Sequence, residues 1–98
     1  MLELLNRLFG CRPKITICNK LGLHARAAAR LVQTASGYSS EITLRTAKRS
    51  VNAKSIMGIL MLAAAQGTTL TVEAQGEDAP AALDAIETLI NERFGEEA

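Results

Sequence analysis

Hydrophobic and polar residues alternate in four short stretches of the chain, and each alternation predicts a strand with one buried face. The first stretch covers residues 14–18, where Ile15 and Ile17 share one face. The same pattern predicts three further strands, over 41–46, 50–53 and 70–74. The second and third strands are close enough in sequence to form a hairpin.

Between these strands the apolar residues recur at the spacing of helices. The first helix is predicted to begin at His24, and Ser55 is a favoured N-cap for a second helix along the apolar run 56–65. We expect the last four residues of the chain to be frayed. The third helix has Pro80 in its first turn, and its apolar stripe comprises Ala82, Leu83, Ile86, Leu89, Ile90 and Phe94.

The order of elements, β-α-β-β-α-β-α, predicts an α+β open-faced sandwich. In this fold an antiparallel four-stranded sheet is covered on one face by three helices. A chain of 98 residues has room for one domain, which we place at residues 14–98. Residues 1–13 are interpreted as an N-terminal extension, a short amphipathic segment that packs on the domain, self-associates or touches a membrane. Its apolar residues near helical spacing are Leu2, Leu5, Leu8 and Phe9.

Composition excludes several classes of function. The hydrophobic fraction of 48% provides for a packed core, whereas aromatic residues make up only 3% and offer few platforms for stacked bases. With a net charge of +1 as well, we expect no binding of nucleic acid. Cys11 and Cys18 do not have the spacing of a disulfide framework or a zinc site, so no metal is predicted. The longest apolar run falls short of the roughly 18 residues that span a membrane, so stable membrane insertion is not expected.

Charge is unevenly distributed along the chain. Residues 1–54 contain ten basic and two acidic residues, whereas residues 55–98 contain one basic and eight acidic residues. A molecule with such a dipole could use its basic part to dock an acidic or phosphorylated partner. An uneven scatter of surface charges explains the same numbers equally well.

The candidate for chemistry is His24, the only histidine of the chain. It lies between a glycine-containing turn and the start of the first predicted helix. The first N–H groups of a helix have no partner within it, and together with the helix dipole they attract anions. Arg26 adds a delocalised positive charge, so a phosphate on the imidazole would be held by both. A lone histidine in this position is also a common cap or surface residue.

Two stretches of sequence resemble the HPr family of phosphocarriers, the histidine-containing proteins of the bacterial phosphoenolpyruvate-dependent phosphotransferase system. Residues 22–28, Gly-Leu-His-Ala-Arg-Ala-Ala, look like the active-site motif of the family. Residues 54–60, Lys-Ser-Ile-Met-Gly-Ile-Leu, match a second family block. The order of elements is also similar, and the resemblance covers about residues 14–94.

The resemblance implies roles for individual residues. His24 corresponds to the phosphorylated histidine and Arg26 to the arginine that helps hold the phosphate. Ser55 corresponds to a serine that a regulatory kinase modifies in some lineages, although its predicted role as an N-cap explains it fully. The apolar helix that docks partners would contain Ile56, Met57 and Leu60, and this role explains an apolar run too wide to face a single core.

A phosphoryl relay is the function that the resemblance implies. Phosphorylated Enzyme I would be the donor and an EIIA-type protein the acceptor, in sugar uptake or in nitrogen-related regulation. We expect a cytoplasmic monomer that is a carrier rather than an enzyme and that needs no cofactor; HPr kinase/phosphorylase is a further candidate partner. Ala27 stands where the family often has proline, and with the C-terminal residues it resembles the nitrogen-branch paralogue. The alternative function is a regulatory protein-binding module that works without phosphorylation.

Overall fold

The protein folds around an antiparallel sheet of four strands, seen in a computed structural model that describes residues 9–98. The strands lie in the order β1-β4-β2-β3, and every neighbouring pair is antiparallel. β2 and β3 form the predicted hairpin. The strand bounds are β1 Phe9–Thr16, β2 Glu41–Arg45, β3 Ser50–Asn52 and β4 Thr69–Gln75.

In residues 9–98, three α-helices cover one face of the sheet, which confirms the predicted open-faced sandwich. Within the described residues, no helix is long and apolar enough to cross a membrane. The helices are α1 Ala25–Ser36, α2 Ile56–Met61 and α3 Ala79–Asn91, and a 3-10 turn follows at Arg93–Gly95. The largest side chains of the core between helices and sheet are Ile17, Leu31, Ile42, Leu44, Ile59, Leu70, Leu83, Ile86, Ile90 and Phe94.

Strand β1 begins at Phe9, well before the start that the alternation predicted. A bulge explains the difference: Arg12 pairs with Val72 and Ile15 pairs with Leu70, so β1 has one extra residue there. Such a bulge reverses which positions face the core, so the alternation of apolar and polar residues in 14–18 does not continue into the first half of the strand. Proline is tolerated in the bulge because β1 is an edge strand.

Contacts with α3 attach the first half of β1 to the domain. The guanidinium of Arg12 lies 2.8 Å from a carboxylate oxygen of Asp84 and 3.4 Å from one of Glu87. Gly10 lets α3 approach, because a Cβ there would lie 2.5 Å from Cδ1 of Leu83. Residues 9–13 of the expected extension are thus part of the sheet. The part of the amphipathic segment with Leu2, Leu5 and Leu8 lies outside the described residues, so its role stays a prediction.

Helix α2 is shorter than the apolar run that predicted it. The run extends to residue 65, but the helix ends at Met61, and Ala63 adopts a left-handed conformation with φ of 51°. The chain leaves the helix because it bonds elsewhere: the carbonyl of Ala64 accepts a hydrogen bond from the N–H of Leu23 at 2.9 Å. The end of α2 is therefore joined to the turn that precedes His24.

Candidate functional site

The turn over residues 19–23 leads the chain into the site. Its conformation requires glycine, because Gly22 has φ of 66° and a Cβ there would lie 2.5 Å from the carbonyl oxygen of Ala64. The side-chain amide of Asn19, which is fully buried, donates to the carbonyl of Gly22 at 2.8 Å. The position of His24 is consequently fixed by contacts on both sides of the turn.

His24 is the N-cap of α1, at the junction between turn and helix where the sequence placed it. Its backbone is extended, with φ of −74° and ψ of −179°, and its carbonyl accepts the N–H of Ala28 at 2.8 Å. The ring nitrogen Nδ1 accepts the N–H of Arg26 at 3.3 Å. This is a long bond, and no other side chain of the part of the chain that the structure describes caps the N–H groups of the first turn. The side chain is 29% exposed, so the ring can be reached from solvent.

The C-terminal residues fold back onto this site, so the expectation of a frayed tail is wrong. At Arg93–Gly95 three consecutive residues have positive φ, of 58°, 56° and 79°, and they reverse the chain after α3. Phe94 is fully buried, and its carbonyl accepts a hydrogen bond from the guanidinium of Arg30. The carbonyl of Ala98 accepts the N–H of Lys20 at 3.0 Å. Phe94 was predicted as part of a helical stripe, but it lies beyond the end of α3 and anchors the tail.

This reversal brings Glu96 to the imidazole. Its Oε2 lies 2.5 Å from Nε2 of His24, and its Oε1 accepts the side-chain amide of Asn19 at 2.9 Å. Burial would raise the pKa of the Glu96 carboxyl, but hydrogen bonds from Asn19 and His24 and the charges of His24 and Arg26 outweigh burial and lower it. Glu96 is therefore an ionised carboxylate at neutral pH.

Sequence reasoning missed both Glu96 and Asn19. Neither residue belongs to an amphipathic pattern, and the contact with His24 spans 72 positions of the chain. The one available signal was Phe94, since a large apolar residue after the last helix indicates that the chain beyond it is held against the core.

An open pocket of about 650 Å³ surrounds the imidazole. Its wall is formed by groups of both charges, and the side chain of Arg26 is exposed at the rim. The arrangement combines a ring nitrogen, unpaired N–H donors and a guanidinium, which suits transient attachment of an anionic group. The lining residues are Lys20, Leu21, His24, Ala25, Arg26, Glu96 and Ala98.

The second sequence block forms the start of α2. Ser55 is its N-cap as predicted, and its Oγ accepts the N–H of Gly58 at 3.0 Å. Ile59 is the one residue of this helix that is buried in the core. The apolar side chains that the resemblance assigned to docking are exposed, Met57 most of all at 69%, together with Ile56 and Leu60.

Comparison with known proteins identifies the family. The sequence model of the family described as "PTS HPr component phosphorylation site" matches residues 12–92. The HPr of Xylella fastidiosa strain Temecula1 is 54% identical over 84 residues, which cover 86% of this chain and 94% of that protein. The NPr of Shewanella violacea is 48% identical over 83 residues, covering 85% and 91%.

The chain belongs to the HPr family. A crystal structure of HPr-C-His from Thermoanaerobacter tengcongensis superposes with a TM-score of 0.83 at 47% identity, covering 92% of this chain and 98% of that one. The protein is a phosphocarrier of the phosphotransferase system, and it relays a phosphoryl group there. Both HPr and NPr proteins are among its relatives, so family membership leaves the branch of the system open.

Proposed function

We propose that His24 is the residue that carries the phosphoryl group, attached at Nδ1. The observation that carries this proposal is the direction of the ring: Nδ1 faces the first turn of α1, where the N–H of Arg26 points at it from 3.3 Å. A phosphoryl group on Nδ1 would lie against the N–H donors of the helix start and the positive end of its dipole. Nε2 is a poor alternative, because the Glu96 carboxylate occupies its side of the ring.

Arg26 stabilises the transferred group in this proposal. Its exposed side chain borders the pocket around the imidazole and is free to turn toward an incoming phosphate. A guanidinium presents several donors in a plane and suits phosphate oxygens better than a point charge does. Most of the catalytic effect of such a site comes from placing charges where the transferring group accumulates negative charge.

The donor and acceptor follow from the role of the family in the phosphotransferase system. Phosphorylated Enzyme I gives the group to His24, and an EIIA-type protein accepts it. The exposed apolar side chains of α2 provide the docking surface for both: Ile56, Met57 and Leu60. The protein acts as a monomeric, cytoplasmic carrier that is consumed and regenerated, not as an enzyme. Ser55 is a candidate for regulatory phosphorylation, since added charge at the start of α2 would disturb docking.

A labelling experiment tests the assignment of His24. The protein is incubated with Enzyme I and labelled phosphoenolpyruvate, and we expect an acid-labile, base-stable phosphate that is absent from His24→Ala. Ser55→Ala is the matched control, because it removes the N-cap side chain of α2 and should retain the label. Label that persists in His24→Ala with wild-type acid lability would overturn the proposal.

A further inference from the structure

We propose that Glu96 is a positioning residue for phosphoryl transfer, holding the proton of His24 on Nε2 and leaving the lone pair on Nδ1. This inference rests on the proposed function of His24 as the phosphoryl carrier. It assigns to the C-terminal tail a direct part in the chemistry of the site.

The two contacts of the imidazole differ in strength. Nε2 lies 2.5 Å from the Glu96 carboxylate, whereas Nδ1 lies 3.3 Å from the N–H of Arg26. A short bond to a charged acceptor is much stronger than a long bond from a neutral amide. An ionised carboxylate can only accept, so the hydrogen of this bond must belong to Nε2. The hydrogen bond at one ring nitrogen sets the tautomer of the other, so Nδ1 has the free electron pair that attack on phosphorus needs.

Glu96 is held in place by several independent contacts. Asn19, fully buried, divides its side-chain amide between the turn carbonyl of Gly22 at 2.8 Å and the Glu96 carboxylate at 2.9 Å. Arg30 bonds the carbonyl of Phe94, two residues before Glu96, at the left-handed turn of the chain. Backbone in such conformations is retained where the surrounding structure holds it, and it is concentrated at functional sites.

The same carboxylate faces the charge that phosphorylation creates. In the transfer, the Nδ1 lone pair of His24 forms the new P–N bond, and the P–N bond of the protonated donor phosphohistidine breaks with its electrons returning to the donor ring. Each ring keeps its own N–H, so the positive charge passes from the donor imidazole to that of His24. Lys20 and Arg26 also border this pocket and disfavour that charge, and among the described side chains that line it Glu96 is the carboxylate that opposes them.

A measurable consequence is the pH dependence of phosphate loss. The P–N bond breaks most readily when the other ring nitrogen is protonated, because the ring then leaves as a neutral imidazole. Glu96 favours that protonated form, so the removal of its charge should move the pH midpoint of spontaneous phosphate loss to lower pH. An adjacent, partly exposed opposite charge predicts a change of about one pH unit.

The test compares three variants of the full chain. Glu96→Gln keeps an acceptor but removes the charge, and Glu96→Ala removes both. Glu97→Gln is the matched control, because it makes the same charge change one residue away at an exposed side chain. Hydrolysis of the phosphorylated proteins is followed from acidic to alkaline pH, and we expect the midpoint to fall in both Glu96 variants and to stay in Glu97→Gln. Circular dichroism checks that each variant is folded.

Nitrogen NMR of the unphosphorylated ring provides a readout that does not depend on phosphorylation. At alkaline pH we expect the wild type to show the single tautomer with the proton on Nε2, and Glu96→Ala to show a mixture. The proposal is wrong if the tautomer and the pH midpoint are the same in all three variants and the wild type. Such a result would leave the proposed function intact, since that function fails only if His24→Ala still takes the acid-labile label.

Discussion

The two family motifs lie at the starts of α1 and α2, and the N-cap residues there, His24 and Ser55, make different hydrogen bonds. At α2, Oγ of Ser55 accepts the N–H of Gly58 at 3.0 Å, three residues along the chain. At α1, Nδ1 of His24 accepts the N–H of Arg26 at 3.3 Å, two residues along. Serine is among the best capping residues, and the shorter bond at α2 satisfies a donor well. Histidine is a weaker cap, and it leaves its helix start open to an anion.

The difference extends to the rest of each side chain. The hydroxyl of Ser55 accepts its hydrogen bond within the first turn of α2, so the local capping motif accounts for this residue. The imidazole of His24 has a second nitrogen, and that nitrogen is bonded by Glu96 from the far end of the chain. The cap at Ser55 thus makes its hydrogen bond within its own turn. The cap at His24 stabilises its helix less, but its ring is oriented by a residue distant in sequence.

The largest effect should come from Arg26, the basic residue beside the histidine cap. Arg26→Ala should slow phosphoryl acceptance from Enzyme I by about 100-fold, because a charge that stabilises the transferring group is lost. Lys54→Ala is the matched change before Ser55, where the ammonium is already bonded to the carbonyl of Tyr38 at 2.8 Å. Rapid-quench measurement of label transfer should show less than about a threefold change for it, as for a charge at the rim of an interface. Equal slowing in both variants would contradict the role of Arg26.

A smaller effect is expected from the apolar surface of α2. Met57→Glu places a charge on the most exposed apolar side chain of this helix and should raise the KM of Enzyme I for the carrier by about tenfold, with kcat retained. The fold should survive, because that side chain contributes little to the core. Ala81→Glu adds the same charge to an exposed position of α3 and should leave KM unchanged. If both variants raise KM alike, net charge rather than the α2 surface explains the result.

The caps themselves should differ in stability. Ser55→Ala should lower the free energy of unfolding by about 1 kcal/mol, the usual value of a serine cap. In a Glu96→Ala background, His24→Ala should cost less than this, because it then removes the long capping bond and not the hydrogen bond to Glu96 as well. Urea unfolding of Ser55→Ala and of this pair of variants measures both values. A larger loss from His24→Ala in that background would mean that the histidine is retained for the fold rather than for chemistry.

The weakest effect should come from the third helix start, at α3. Asp78 is its N-cap, but its carboxylate accepts hydrogen bonds from Ser40 and from the N–H of Ser39 instead of capping the helix. The side-chain hydrogen bond from Ser40 is the main cause that lowers the Asp78 pKa from 3.8 to about 2. A lowered carboxyl pKa stabilises the fold fully above pH 3.8, and the stability is lost as the pH falls through about 2.

Unfolding of Asp78→Asn between pH 2 and 5 measures this contribution. The variant should lose part of the pH dependence that the wild type shows in this range, and the loss should be modest because solvent screens the exposed carboxylate. An identical pH profile in both proteins would show that the hydrogen bonds of Asp78 do not favour its ionised form.

The sequence by itself determined most of the fold and the position of His24. Periods of two and 3.6 residues reflect which side chains face a core, so they located every strand and helix among the described residues. Caps are local as well, and Ser55 and His24 were therefore predicted at the correct helix starts. The errors lie where local pattern was overridden: a bulge reversed the phase of β1, and a hydrogen bond from Leu23 to Ala64 ended α2 early.

Only the tertiary structure decided what surrounds the imidazole. Glu96 meets both His24 and Asn19 because a left-handed turn and the buried Phe94 reverse the chain after α3. Such contacts join residues more than 70 positions apart and leave no periodic signal in the sequence. The sequence therefore indicated which residue can hold a phosphate. If Glu96 positions the ring as proposed, the folded tail decides which ring nitrogen is free to take it, since a tautomer depends on the partner that packing brings to the opposite side of the ring.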